Sequence, residues 1–336
     1  MTFDKIDRLS LQAAYTNEDF SPVSEQEQSS LSKLTENTSY WKDALRRLKQ
    51  NKIAIVAFVV ILLFILFAFV GPALSPYTYD QQIRGDENMT PNMKHPFGTD
   101  QLGRDLLVRV MIGSRISLVI GVGSALIVLV IGSLYGAVSG LLGGIADNIM
   151  MRIVEIIYSV PDILVIILLQ IVIKEPLVKA FNSGSILSGL QTLGPGIVAI
   201  FIVYGMLYWV GMARIVRGQV LQVKQMEFVN AATALGAGKR RLILKHLLPN
   251  CIGTLIVTTM LQIPSAIFTE SFLSFLGLGV SAPLASLGSL SAEALNGIQS
   301  YPHRLLFPAI AISVIILAFN LFGDGLRDAL DPKLKK

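Results

Sequence analysis

Ile53-Ala-Ile-Val-Ala-Phe-Val-Val-Ile-Leu-Leu-Phe-Ile-Leu-Phe-Ala-Phe-Val70 is an apolar run without one charged or hydrogen-bonding side chain. A helix needs about 20 such residues to cross roughly 30 Å of hydrocarbon, so this stretch reads as a membrane span, ended by Gly71-Pro72. Comparable runs recur along the chain at 116–142, 149–173, 197–215, 251–275 and 306–322. Pro161-Asp162 interrupts the third run and Pro264 stands inside the fifth. The pattern predicts an all-α integral membrane protein of six transmembrane helices.

Composition agrees. Of 336 residues, 52% are hydrophobic and only 15% charged, whereas a soluble domain carries nearer a quarter charged residues. The formal charge of +5 does not point to nucleic acid, because the basic residues flank apolar runs and lack interleaved aromatic platforms. The single cysteine, Cys251, excludes an internal disulfide framework. The first apolar run follows a long polar tail rather than opening the chain, so it is expected to persist as an anchor.

The segments divide as follows. Residues 1–38 are expected to be a disordered cytoplasmic tail. In 39–72, Trp41, Ala44, Leu45 and Leu48 share one helical face and Lys42, Arg46, Arg47 and Lys49 the other, predicting an interfacial helix before the first span. A polar external segment, 73–112, precedes a five-helix domain at 113–325, and 326–336 forms a cytoplasmic C-terminus. Within the domain, Gly132, Gly136, Gly140 and Gly144 recur every fourth residue and predict a close helix-packing seam. No internal repeat is visible.

Residues 33–52 carry six basic side chains, and 214–246 carry seven against the single Glu227. The loops 174–196 and 276–305 carry very few. Basic residues favour the cytoplasmic side, so both termini and the 216–250 loop are expected there. The five basic residues of 73–115 fall on the other side against that rule.

Residues 227–250 read as a short helix, a glycine break at Gly236–Gly238, and a basic helix stopped by Pro249. Small side chains at Ala231, Ala232 and Ala234 would suit docking into a groove, or the segment is an ordinary hairpin. Its Asn230-Ala231-Ala232 start, Gly236, and the His246-Leu-Leu248-Pro249 ending resemble the EAA loop of ABC importer permeases. A second resemblance runs through Gly98, Asp100, Gly103, Arg104, Asp105, Arg109 and Arg115, similar to the segment before the second span of C-type subunits of oligopeptide, dipeptide and nickel importers. Read from the residues alone, these charges form Asp100–Arg104 and Asp105–Arg109 pairs that brace the segment. Glu270-Ser-Phe-Leu-Ser-Phe-Leu-Gly-Leu-Gly279 and the stretch 308–332 resemble the same subunits, so the likeness covers 41–332.

That resemblance implies a type I ABC importer transmembrane domain, with a methionine-importer-like fold, in a bacterial cytoplasmic membrane. It implies a permease for peptides, oligopeptides first, with dipeptides or nickel chelates as the alternative cargo. The implied partners are a B-type permease subunit, two ATPase subunits and an external substrate-binding protein. The loop would be the coupling helix seated in an ATPase cleft, although Asn230 replaces the family's glutamate. ATP and magnesium would sit on the ATPases, with no cofactor or metal on this chain.

Residues exclude some rivals directly. Gly238-Lys239 is no phosphate loop, since Thr233 and Arg240 stand where glycine and Ser or Thr are required. His95, His246 and His303 lack the spacing of a metalloprotease and fall outside the spans. An ion-coupled secondary transporter is the stronger rival, because Glu155, Asp162 and Glu270 lie in or beside spans. Glu155 can instead pair with Arg152 and Asp162 can cap a restarting helix. Glu270 is expected either to line an aqueous path as part of a gate or to brace Arg109 or Arg115. Gln170, Gln262 and Asn320 are expected to hydrogen-bond between helices.

Overall fold

The computed structural model describes residues 40–182, 194–280 and 284–330. The predicted tail 1–38, part of the 174–196 loop and the end of the chain lie outside them. The helix α1 (Tyr40–Gln50) forms over the predicted interfacial stretch, with Trp41 and Leu45 exposed. The main helices that follow are α2 (Lys52–Phe69), α3 (Leu106–Leu142), α4 (Gly144–Ser159), α5 (Asp162–Asn182), α6 (Pro195–Leu207), α7 (Trp209–Val223), α8 (Glu227–Ala234), α9 (Ile252–Phe275), α10 (Leu287–Leu295) and α11 (His303–Leu330), with 75–105 an irregular segment of turns. Among the described residues the only β pairing is an isolated bridge between Thr99 and Asp105.

Among the described residues, five continuous helical runs are long and apolar enough to cross a membrane: α2, α3, α6 with α7, α9 and α11. The third predicted span differs. It is no single rod over 149–173 but the pair α4 and α5, bent by 87°. Pro161 has no N–H to donate and pushes the preceding residue out of the helical region; Val160 is accordingly extended, with φ −91° and ψ 136°. Counting this pair as one gives six.

Local chemistry sets the helix ends. Asn51 caps α2, its side chain accepting from the N–H of Ala54 at 3.1 Å. Asp105 caps α3 in the same way through the N–H of Val108, at 2.9 Å. That cap starts α3 ten residues before the predicted 116. At 37 residues the helix is on the order of 55 Å long, longer than a bilayer core, and its first turns belong to the polar segment. The 276–305 loop likewise holds an unforeseen helix, α10, opened by a reciprocal Ser286–Ser289 capping box.

The glycine seam packs α3 against α7. A Cβ on Gly132 would lie 2.6 Å from Met212 Cβ, one on Gly136 would collide with the Ala213 carbonyl, and one on Gly140 would lie 2.9 Å from Val220 Cγ1. Gly144 is not part of it. The helix ends at Leu142, and Gly143 and Gly144 turn the chain at φ +66° and +55°. Beside the seam, Arg217 of α7 grips Asp147 of α4 through two bonds of 2.6 and 2.5 Å, and Lys224 caps α3 through the Leu141 carbonyl at 2.7 Å.

One apolar core joins Ile120 and Val128 of α3, Ile200 and Val203 of α6, and Val216 and Val220 of α7. A second joins Ile61 of α2, Ile267 of α9 and Ile315 and Phe319 of α11. α3 contributes to both and is the central post. Much of the remaining surface is apolar, including Phe58, Leu62, Leu66, Leu164, Leu168, Leu317 and Leu321, as lipid contact requires.

Candidate functional site

The hairpin after α7 is built on the main core. Val229, Leu242, Ile243 and Leu247 are buried in the cluster that holds Val216 and Val220, so this limb cannot move independently of the helices beneath it. Ala232 and Leu248 pack against the same cluster, while Asn230, Ala231 and Pro249 are exposed and His246 is half-buried. Ala232 therefore faces inward; the outward face of α8 is made by Phe228, Ala231 and Ala234, with Leu235 just beyond at 89% exposure.

Gly236 shapes the hairpin. At φ +80° it accepts a left-handed conformation, its N–H donates to the Thr233 carbonyl and that of Ala237 to the Ala232 carbonyl. These two bonds close the end of α8 as a Schellman motif, which favours glycine at this position. The return limb runs through a π-helical stretch, Leu242–Leu247, where the N–H of Leu248 reaches back to Ile243. Pro249, lacking a donor, follows at once.

Glu270 stands at the other end of α3. Contrary to the expectation of an aqueous position, its side chain is fully enclosed, at 0% exposure. It accepts hydrogen bonds from Ser117 of α3 at 2.8 Å and from Ser274 at 2.7 Å, with Ser271 at 3.4 Å. Neither Arg109 nor Arg115 reaches it, since serines already supply the donors that a buried carboxylate requires. Ser274 also accepts from the N–H of Val280, and Gln170 of α5 donates to the Gly196 and Leu278 carbonyls at 3.3 and 3.0 Å. The end of α9 is thus tied to α3, α5 and α6. Gln262 and Asn320 make no such bond among the described residues.

The segment before α3 closes on itself. Arg109 is 3% exposed and binds Asp100 at 2.5 Å and Glu293 of α10 at 2.8 Å; Arg104 binds the same two carboxylates at 2.6 and 3.3 Å. The expected Asp105–Arg109 pair is absent because the Asp105 carboxylate is spent on the α3 cap and on His95 Nδ1, at 2.8 Å. Gly98 and Gly103 turn the chain at φ +78° and +69°, and Arg115 donates to the Ala68 and Phe69 carbonyls of α2. The Lys94 ammonium, hydrogen-bonded to Asp86 at 2.7 Å, holds that carboxyl below its usual range. Arg152 and Glu155 form the expected surface pair, and Asp162 accepts from the N–H of Ile163. Three partners escaped the sequence reading: Glu293, Asp147 and Arg217. The Ser286–Ser289 spacing and the apolar Leu287, Leu290 and Ala294 were the signal for α10, and hence for Glu293.

A bundle of apolar helices bearing a rigidly attached polar hairpin defines the class: a polytopic membrane protein whose spans are joined mechanically to a surface element. Residues 129–336 match the family described as binding-protein-dependent transport system inner membrane component, and 39–91 match the N-terminal TM domain of oligopeptide transport permease C. The chain is 46% identical over 298 residues to the oligopeptide transport system permease protein of Bacillus subtilis, covering 89% of this chain and 91% of that one. The dipeptide transport system permease protein of the same organism is 47% identical over 299 residues, covering 89% and 87%. The oligopeptide permease protein of Escherichia coli K12 is 42% identical over 300 residues, covering 89% and 93%. The chain belongs to the binding-protein-dependent transport system inner membrane components.

Proposed function

We propose that this chain is the C-type permease subunit of an ATP-driven peptide importer in a bacterial cytoplasmic membrane, with oligopeptides as its first cargo. It pairs with a B-type permease subunit to enclose the path, receives substrate from an external binding protein, and is driven by two ATPase subunits that bind ATP and magnesium. Peptide as the substrate rests on the likeness to oligopeptide and dipeptide permeases. Both termini and the 216–250 loop lie in the cytoplasm, as the placement of basic side chains favours.

The observation that carries the mechanism is the hairpin's double character. Its inner face, Val229, Leu242 and Leu247, shares the core of the spans, while Phe228, Ala231 and Leu235 stand out to receive a partner. A push on α8 from an ATPase cleft is therefore a push on α7 and, through the glycine seam, on α3. Asn230 offers a neutral hydrogen-bonding side chain at the partner surface rather than a carboxylate.

Gly236→Leu tests this. A branched side chain at φ +80° is strained and reshapes the hairpin without touching the spans, because beyond its chain neighbours nothing lies within 4 Å of the added Cβ. The assembled variant is expected to lose substrate-stimulated ATP hydrolysis and import together. Normal coupling in the variant would reduce the segment to an ordinary hairpin.

A further inference from the structure

Two adjoining cavities lie where the end of α3 meets the return limb of the hairpin. The first, of about 370 Å³, is walled by Leu134, Val138, Leu141 and Leu142 of α3 and by Ile243 and Leu244. Lys239 and Arg240 complete it. The second, of about 610 Å³, shares Lys239, Arg240 and Leu244 and adds Arg241 and Lys245. An apolar trough along a membrane helix thus runs directly into a cluster of four cations.

The cations are unneutralised. Residues 228–250 contain no Asp or Glu, and among the described residues no carboxylate pairs with Lys239, Arg240, Arg241 or Lys245. Leu134, Leu142 and Leu244 are exposed, so the trough is not closed by the chain's own packing. A soluble anion would have no use for a wall of leucine, and an apolar peptide would gain nothing from four positive charges. One occupant satisfies both halves at the depth where a spanning helix leaves the hydrocarbon. Its tail would be apolar, its head anionic, and its natural source the membrane itself.

We propose that this cleft binds an anionic glycerophospholipid, with an acyl chain laid along α3 and the phosphate held by Lys239 and Arg240. The lipid sits beside the proposed coupling element, against the same Ile243 that enters the main core, so its occupancy stiffens the joint between hairpin and spans. The site rests on the membrane-spanning reading of α3 and on no particular cargo or ATPase.

The test uses the complete transporter reconstituted in phosphatidylcholine nanodiscs. Phosphatidylglycerol bearing a photoreactive acyl chain is added, or phosphatidylcholine bearing the same chain, and adducts are mapped by peptide mass spectrometry. Phosphatidylglycerol adducts are expected on the peptides carrying Leu134–Leu142 and Ile243–Leu244. The double variant Lys239→Gln/Arg240→Gln, which alters only exposed side chains, should reduce them by roughly tenfold or more. Val138→Trp, which fills the trough, should remove them while the charges remain. Equal labelling by both headgroups, unmoved by the double variant, would overturn the anionic site. Absence of adducts in an assembled complex would mean that a protein subunit covers the cleft, and would overturn it equally. ATP-driven import measured on the same preparation separates the two proposals: an active complex without adducts loses only the lipid site.

Discussion

The two ends of α3 are built on opposite principles. At its start, the segment 75–105, the first turns of α3 and α10 spend their buried charges on one another: Arg104 and Arg109 on Asp100 and Glu293, His95 on Asp105, with Lys94 on Asp86 at the rim. At its end, the hairpin buries an apolar underside but leaves Phe228 and Leu235 exposed and Lys239 through Arg241 unpaired. Polar residues alone do not mark a docking surface; the saturated segment is as rich in charge as the unsaturated one. What separates them is whether the chain satisfies its own groups. One end pairs its buried charges internally, and the other leaves apolar and cationic side chains exposed.

Perturbations should therefore be felt as stability at one end and as assembly or coupling at the other. The largest stability effect is expected at Arg109. Arg109→Gln removes the buried guanidinium that Asp100 and Glu293 share with Arg104 and should cost about 3 kcal/mol, read as a fall in the thermal unfolding midpoint of the purified complex. Replacing Glu293 with Gln in the same chain should recover part of that loss, because the two act in one network. In the glycine seam, Gly136→Ala pushes a Cβ into the Ala213 carbonyl and should cost about 1–3 kcal/mol. Gly218→Ala on α7, with nothing within 4 Å, should stay within about 0.5 kcal/mol by the same unfolding assay.

Glu270→Gln sits between the two regimes. Its serine cage makes it a tie between α3 and α9, so the amide should lower stability by about 1–3 kcal/mol while leaving transport per folded complex unchanged. An altered transport rate or basal ATP hydrolysis at unchanged stability would instead assign it to a gate. The hairpin should show a stability effect as small as that of Gly218→Ala. Leu235→Asp should stay within about 0.5 kcal/mol in the isolated chain, yet diminish co-purification of ATPase subunits. A large loss of stability there would erase the contrast between the two ends.

Much of this was legible in the sequence, for identifiable reasons. Apolar runs of this length declare helical spans because a helix satisfies its own backbone in hydrocarbon, and Gly132, Gly136 and Gly140 announce a seam because small residues let backbones approach. Gly236 declared the break after α8 because a left-handed cap favours that residue. Pro161 showed where the third run breaks but not the 87° between its halves, which packing decides. Local spacing paired Asp105 with Arg109, yet Asp105 had a nearer use as a helix cap and Glu293 lay far along the chain. The enclosure of Glu270 depends on Ser117, more than 150 positions away, and no periodicity reveals such a partner.

We propose that ATP-driven motion enters this chain through the hairpin between α7 and α9. The most direct measurement is site-specific cross-linking in the active transporter. Single cysteines replace Ala231 or Leu235 in a Cys251→Ser background, with Thr78→Cys of the self-satisfied segment as the control. Short bifunctional thiol reagents should join Ala231→Cys and Leu235→Cys to an ATPase subunit, with a yield that changes when nucleotide binds, and should leave Thr78→Cys unlinked to it. ATPase adducts at Thr78→Cys, with none at the hairpin of a complex that still imports substrate, would contradict the account.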